Sequence, residues 1–152
     1  KGVTTAVRLS TVAPRSGQYC LELEAVPDDN LGPVPIIPTS PVWVRSKPIR
    51  LSAGDVIEIS GVARVPEQLL GTVDGLQVFD SLGGADLATR IQASPSWQPF
   101  VMKRAAPADV QVTIALSGLG KAQVDDLSLR VISSRSAGRV SSAPTGLQSL
   151  PR

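Results

Sequence analysis

Val110–Gly120 (VQVTIALSGLG) and Ala122–Ile132 (AQVDDLSLRVI) decide how this chain folds. In the first run Val110, Val112, Ile114 and Leu116 share one face of an extended chain, and Gln111, Thr113 and Ala115 share the other. Two-residue alternation of this kind predicts a half-buried β-strand. Gly118 and Gly120 mark a short turn, after which Leu127, Leu129 and Val131 resume the alternation. Asp125 has the parity of these three, so the pattern aims a carboxylate inward. Such a carboxylate must be hydrogen-bonded, ion-paired or bound to a metal, because an unpaired buried charge is very costly.

Outward from this pair, the same signals recur. Val3–Leu9, Gln18–Val26, Val42–Arg45, Pro48–Leu51, Val56–Val65, Val73–Asp80, Asp86–Gln92 and Trp97–Arg104 read as extended segments separated by turn residues such as Ser52–Asp55 and Ser81–Gly84. In Gln18–Val26 the expected inner face is Tyr19, Leu21, Leu23 and Ala25, with Glu22 and Glu24 solvated on the outer face. Pro27–Pro41 holds five prolines in fifteen residues. Proline lacks the N–H a sheet ladder needs, so this is an extended loop. No window carries a sustained helical periodicity. A chain of 152 residues with thirteen prolines and thirteen glycines therefore suits one all-β domain, a two-sheet antiparallel β-sandwich of about nine to ten strands. The domain is expected over residues 1–133, and 134–152 reads as a solvated, mobile Ser/Arg/Pro-containing tail.

The formal charge of +2 hides a near-neutral body. Arg135, Arg139 and Arg152 fall in the tail, leaving 12 basic against 13 acidic residues. Without a basic stripe, nothing points to nucleic acid. No segment reaches transmembrane length, so membrane insertion is not expected. The chain begins at Lys1 rather than Met, as a fragment or processed product does, so the lack of a signal region carries no weight about location. Cys20 is the single cysteine, which excludes an intrachain disulfide and a cysteine metal cluster.

Histidine is absent altogether. That removes the commonest general base at neutral pH, any Ser-His-Asp or Cys-His arrangement, and histidine-ligated zinc. Paired carboxylates run glycoside hydrolysis without histidine, and Asp74, Asp80, Asp125 and Asp126 are the candidates. Their contexts read more simply as turns and strand ends. The expectation is a protein that is not an enzyme.

Ser16-Gly17-Gln18-Tyr19-Cys20-Leu21, Pro48-Ile49 with Ala53-Gly54-Asp55, Trp97 with Phe100, and Val124-Asp125-Asp126-Leu127 occur in that order. Together they resemble the landmarks of the β-jelly-roll carbohydrate-binding modules of families four, nine and twenty-two, within the broader galactose-binding-like sandwiches. The resemblance runs from about Arg15 to Val131. It implies a non-catalytic carbohydrate-binding module, an accessory domain of a larger extracellular or cell-envelope protein, with a polysaccharide or glycan as partner. It implies Trp97 in the core. It also implies a structural calcium, for which Asp125 and carbonyls near Gln18 are the candidate ligands; Asp125 as a hydrogen-bond acceptor without metal is the other reading.

The aromatic count departs from the sugar-binding pattern: only Tyr19, Trp43, Phe79, Trp97 and Phe100 are present. That scarcity favours the alternative, a structural or protein-interaction sandwich with no sugar site. Trp43 is set against its neighbours, since Val42 and Val44 occupy the opposite face; it is either exposed there or packed under the proline-rich loop. Arg45 shares its side. Arg64, alternating against the apolar residues of Val56–Val65, and Gln77, alternating against Leu76 and Val78, complete the candidate ligand set Trp43, Arg45, Arg64 and Gln77, a few polar groups around one aromatic platform.

Overall fold

A computed structural model describes residues 2–28, 36–106 and 108–133. The expected tail, 134–152, and residues 29–35 of the proline-rich segment lie outside the described residues. Among the described residues nine strands run in chain order: β1 Val3–Ser10, β2 Cys20–Pro27, β3 Val42–Arg45, β4 Asp55–Val65, β5 Leu76–Asp80, β6 Thr89–Ile91, β7 Ser94–Ala106, β8 Val112–Leu116 and β9 Gly120–Ser133. A single 3-10 turn, Ala85–Leu87, precedes β6. The strands form a five-stranded sheet, β1-β2-β9-β4-β7, and a four-stranded sheet, β3-β8-β5-β6. Every strand pairing is antiparallel. The all-β two-sheet sandwich expected from the alternation is thus the fold. Pro48–Leu51 yields only an isolated bridge, Ile49 to Val110, where a strand was expected.

The two sheets close on each other because each strand turns one apolar face inward. Leu23, Ile57, Ile59, Leu76, Val78, Val110, Leu116 and Val124 are buried essentially completely. Each such aliphatic side chain stabilises the fold by roughly 1.5–3 kcal/mol of apolar transfer. Between the sheets lies one ion pair. Asp80 on β5 is wholly buried, and its Oδ2 stands 2.9 Å from Nε of Arg104 on β7, whose side chain is 22% exposed. These two atoms are too poorly aligned to hydrogen-bond. The other oxygen, Oδ1, accepts from the backbone N–H groups of Leu82 and Gly83.

The outer face of the five-stranded sheet carries a polar row with one residue from each strand. Arg8, Glu22, Gln123 and Arg64 stand opposite one another in register. Trp97 on β7 ends the row, with the Arg64 guanidinium carbon 4.9 Å from its ring centroid. Arg8 Nη2 donates to Glu22 Oε1 at 2.6 Å, Gln123 Nε2 to Glu22 Oε2 at 2.7 Å, and Arg64 Nε to Gln123 Oε1 at 2.6 Å. The Val12 carbonyl, from the loop after β1, accepts from both Gln123 and Arg64. Glu22 is therefore buried in a hydrogen-bonded network rather than solvated. Tyr19 is exposed, because β2 begins only at Cys20. Trp97 sits half-buried on the outer face, outside the core, which corrects the reading the resemblance implied. Cys20 lies buried beneath the same loop, and that burial, with the nearby Asp125 charge, pushes its thiol above its ordinary pKa.

Two partly buried carboxylates make acid sensitivity predictable in sign. The Arg8 hydrogen bond, helped by Lys121, holds Glu24 below the usual carboxylate range. Arg130, with Lys103 adding to it, does the same for Glu58. A pKa lower in the folded than the unfolded chain gives stability that is present above the unfolded value, about 4.3, and lost as pH falls through the folded one. The melting temperature should accordingly fall between about pH 5 and pH 3. A thermal melt series insensitive to pH across that window would show these pairs to be energetically silent.

Candidate functional site

The four-stranded sheet turns Trp43 outward from β3, a short edge strand. The register places Trp43 opposite Ala115 on β8, Ala115 opposite Gln77 on β5, and Gln77 opposite Arg90 on β6. One row thus crosses the whole sheet: Trp43, Ala115, Gln77, Arg90. The neighbouring row on the same face is Arg45, Thr113 and Phe79. Ala115 and Thr113 are buried, and with their small side chains they form the floor of this face between Trp43 and the far strands. Gln77 also belongs to that floor, 7% exposed.

Trp43 is 56% exposed. The Arg45 guanidinium carbon lies 5.2 Å from its ring centroid, a cation–π contact. Arg45 Nε donates to Thr113 Oγ1 at 3.0 Å, which fixes the guanidinium beside the ring. Arg90 faces its own loops: it donates to Asp74 Oδ1 at 3.1 Å and to the carbonyls of Ala88 and Ala85. An exposed indole with a pinned guanidinium can bury a flat apolar surface and donate to oxygens at its edge.

Of the four residues read from the sequence, Trp43, Arg45 and Gln77 meet on this face. Arg64 does not. It lies on β4 in the other sheet, engaged with Gln123 and Trp97. Alternation tells which face of its own strand a residue occupies, but not to which sheet the strand belongs. Thr113, Ala115, Phe79 and Arg90 enter the site through the register. The signal for the first two is the Gln111–Thr113–Ala115 parity, which needed only the knowledge that β8 lies between β3 and β5.

Asp125 accepts hydrogen bonds, one of the roles expected of it, but faces outward rather than inward as its parity suggests. Ala63 pairs with Val124 and Ile59 with Leu129, so β9 carries one residue more than β4 over this stretch. That is a β-bulge, and Asp126 within it adopts φ 52°. Parity changes there: Ala122 and Val124 point inward before it, and Asp125 points outward. Gly61 sits across from the bulge, where an added Cβ would come within 2.8 Å of Phe100 Cζ and 3.2 Å of the Asp125 carbonyl. Asp125 Oδ2 accepts from the backbone N–H of Arg15 at 2.8 Å and of Ser16 at 3.1 Å, and Oδ1 from that of Asp126. Ser16 Oγ donates to Asp126.

These carboxylates fasten the loop between β1 and β2 to β9. Calcium takes roughly six to eight oxygen ligands. Among the described residues no three Cys, Asp or Glu side chains gather where one ion would be shared. Three acceptor positions of Asp125 already face N–H groups, and Gln18 is exposed. Asp125 is thus placed as a hydrogen-bond acceptor, the second of the two readings.

No family model matches the sequence, and no curated protein matches it either. Solved structures do resemble the fold. The enzymatically active domain of tailspike protein 4 from bacteriophage CBA120 superposes with a TM-score of 0.57 at 11% identity, over 86% of this chain and 19% of that one. The chain therefore spans about a fifth of the tailspike chain's length. A family 4 carbohydrate-binding module matches with a TM-score of 0.53 at 18% identity, over 82% of this chain and 77% of that one. TmCBM61, solved with β-1,4-galactotriose, gives 0.52 at 13% identity over 86% and 87%. No helix among the described residues is long and apolar enough to cross a membrane. The likeness fixes the architecture: this chain has the all-β, two-sheet sandwich fold that carbohydrate-binding modules have.

Proposed function

We propose that the protein is a non-catalytic glycan-binding module, an accessory domain of a larger extracellular or envelope protein, and that it holds its ligand on the outer face of the four-stranded sheet. One observation carries this reading: Trp43 is a large, rigid aromatic left more than half exposed on a strand whose inner face is packed in the core. A rigid aromatic face with a guanidinium held beside it offers an apolar platform with polar groups at its edge, the composition of a ligand site. A pyranose ring would stack on the indole, with Arg45, Gln77 and Thr113 supplying the polar contacts. The carboxylates that a hydrolase would need are otherwise occupied, which supports a binding role. Asp74 is paired with Arg90, Asp80 is sealed in the core against Arg104, and Asp125 and Asp126 tie down the first loop.

Pull-down against insoluble polysaccharides, together with a soluble glycan panel, tests the reading. The expected result is retention of at least one glycan by the wild-type protein and its loss in Trp43→Ala. Binding untouched by Trp43→Ala would remove the site, and no binding to any glycan would favour a structural or protein-interaction module.

The loop-fastening role of Asp125 has its own test. Asp125→Ala should cost about 1–3 kcal/mol through the N–H groups left without their acceptor. A chelator should leave the wild-type melting temperature where it was. A chelator-induced fall in stability that Asp125→Ala abolishes would restore calcium to this position, since a ion bound only to the folded state stabilises by mass action.

A further inference from the structure

Among the described residues the cations sort into two groups. Arg8, Arg90, Lys103, Arg104, Lys121 and Arg130 each have a carboxylate within ion-pair distance. Five have none: Arg15, in the loop between β1 and β2, Arg64, which is engaged with Gln123 and Trp97, and then Arg45, Lys47 and Arg50, all three of the latter exposed. These last three fall in one six-residue stretch, RSKPIR, that begins two residues after Trp43 and follows the open edge of the four-stranded sheet. The chain stays beside β8 there: Ser46 N donates to the Val112 carbonyl, and Ile49 and Val110 exchange both their backbone bonds. This is not a loose charge run but a cationic margin held against the sheet.

No acidic residue belongs to either row of the proposed face. Its residues are Trp43, Ala115, Gln77 and Arg90, then Arg45, Thr113 and Phe79. Asp74, at its rim, is already paired with Arg90. Arg45 is the pinned member of the margin: its Nε is committed to Thr113, while neither Nη makes an ion pair among the described residues. A guanidinium fork held beside an aromatic face matches the planar geometry of a carboxylate and the oxygens of a sulfate. Lys47 follows two residues later, about 7 Å along an extended chain, within the screening length of about 8 Å at physiological salt.

From this we infer that the ligand of the Trp43 face is an anionic glycan, one bearing uronate carboxylates or sulfate groups, with the indole stacking a sugar ring and Arg45 taking the acidic group. The inference rests on the glycan-binding reading and narrows it. A neutral sugar would meet the Arg45 N–H groups with hydroxyls only, without the stronger charge-assisted pair.

The test measures affinity for polygalacturonate, for its fully methyl-esterified form, for dextran sulfate, for a neutral β-1,4-galactan and for double-stranded DNA. Polygalacturonate or dextran sulfate should bind tighter than the esterified and neutral polymers, and comparison of those two separates carboxylate from sulfate. Arg45→Gln should weaken the acidic polymer about ten-fold or more, the scale of a lost charge-assisted hydrogen bond, and Arg45→Lys should fall between. Raising salt from about 0.01 M to about 1 M, which shortens the screening length from about 30 Å to about 3 Å, should weaken the same binding steeply. Circular dichroism of each variant verifies that the sandwich is intact. Equal binding of neutral and acidic glycans, indifferent to Arg45→Gln but lost in Trp43→Ala, overturns the inference and leaves glycan binding standing. Binding of acidic polymers that ignores Trp43→Ala, or DNA bound as tightly as they are, makes this a general polyanion surface and overturns it as well. Failure of every polymer to bind removes both.

Discussion

Arg104→Met should destabilise the domain by about 3–5 kcal/mol, the usual cost of stranding one partner of a buried ion pair. Asp80 is completely buried between the sheets, and Arg104 is the only cation beside it among the described residues. Two backbone N–H groups satisfy Oδ1, but Oδ2 has no hydrogen bond and relies on the nearby guanidinium charge. Removing that charge leaves an uncompensated carboxylate in an apolar interior. Asp80→Asn keeps an acceptor for Leu82 and Gly83 while removing the charge. Combined with Arg104→Met it should recover much of the loss, since an isosteric neutral pair often matches a buried ion pair. Urea denaturation of the two single variants and the double variant reads this directly. A single Arg104→Met cost under about 1 kcal/mol would mean that solvent, not Arg104, compensates Asp80.

Gln123→Ala should cost about 2–4 kcal/mol, more than an outer-face substitution ordinarily does. Gln123 is 1% exposed and is the central link of the row across the five-stranded sheet. Its amide N–H₂ serves both the Glu22 carboxylate and the Val12 carbonyl, and its oxygen receives the Arg64 Nε–H. Truncation takes one partner from each of the three: buried Glu22 keeps Arg8, the Val12 carbonyl keeps Arg64 Nη2, and the Arg64 Nε–H is left without an acceptor. Gln123→Glu is the informative companion. It is the same size, but places a second carboxylate against Glu22, so it should destabilise at neutral pH and recover toward acid, opposite to the wild-type trend. If both variants melt with the wild type, the row is ornamental and the loop after β1 is held by other contacts.

The reading of Val110–Leu116 succeeded because a strand with one face in the core writes its two-residue period directly into the sequence. Val112, Ile114 and Leu116 point inward as that period requires, and Thr113 and Ala115 form the floor of the candidate site. The same rule failed at Asp125, where one extra residue in β9 resets the parity. A bulge is fixed by the pairing of two strands about sixty residues apart in sequence, Ala63 with Val124, and nothing local to VDDL announces it. Arg64 failed for a related reason. Its outward parity was right, yet strand order put β4 between β9 and β7 rather than beside β3. Trp97 shows the limit of residue type. Its size suggests a core position, but it lies on the opposite face of β7 from Phe100 and Met102, which do fill the core. The rows that build the site depend on β3 meeting β8 across some seventy residues. Local pattern supplies the faces, while neighbours come only from the assembled sheet.

The central claim is that Trp43 touches the ligand, and the chain's two tryptophans permit a direct measurement. In a Trp97→Phe background Trp43 is the only indole, so its fluorescence reports on the proposed face alone. Titration with the glycan that binds best should shift and change that emission in step with the binding isotherm, and Trp43→Ala should abolish binding by calorimetry. A saturable isotherm with Trp43 emission unchanged, and with Trp43→Ala binding as tightly as the wild type, would contradict the account.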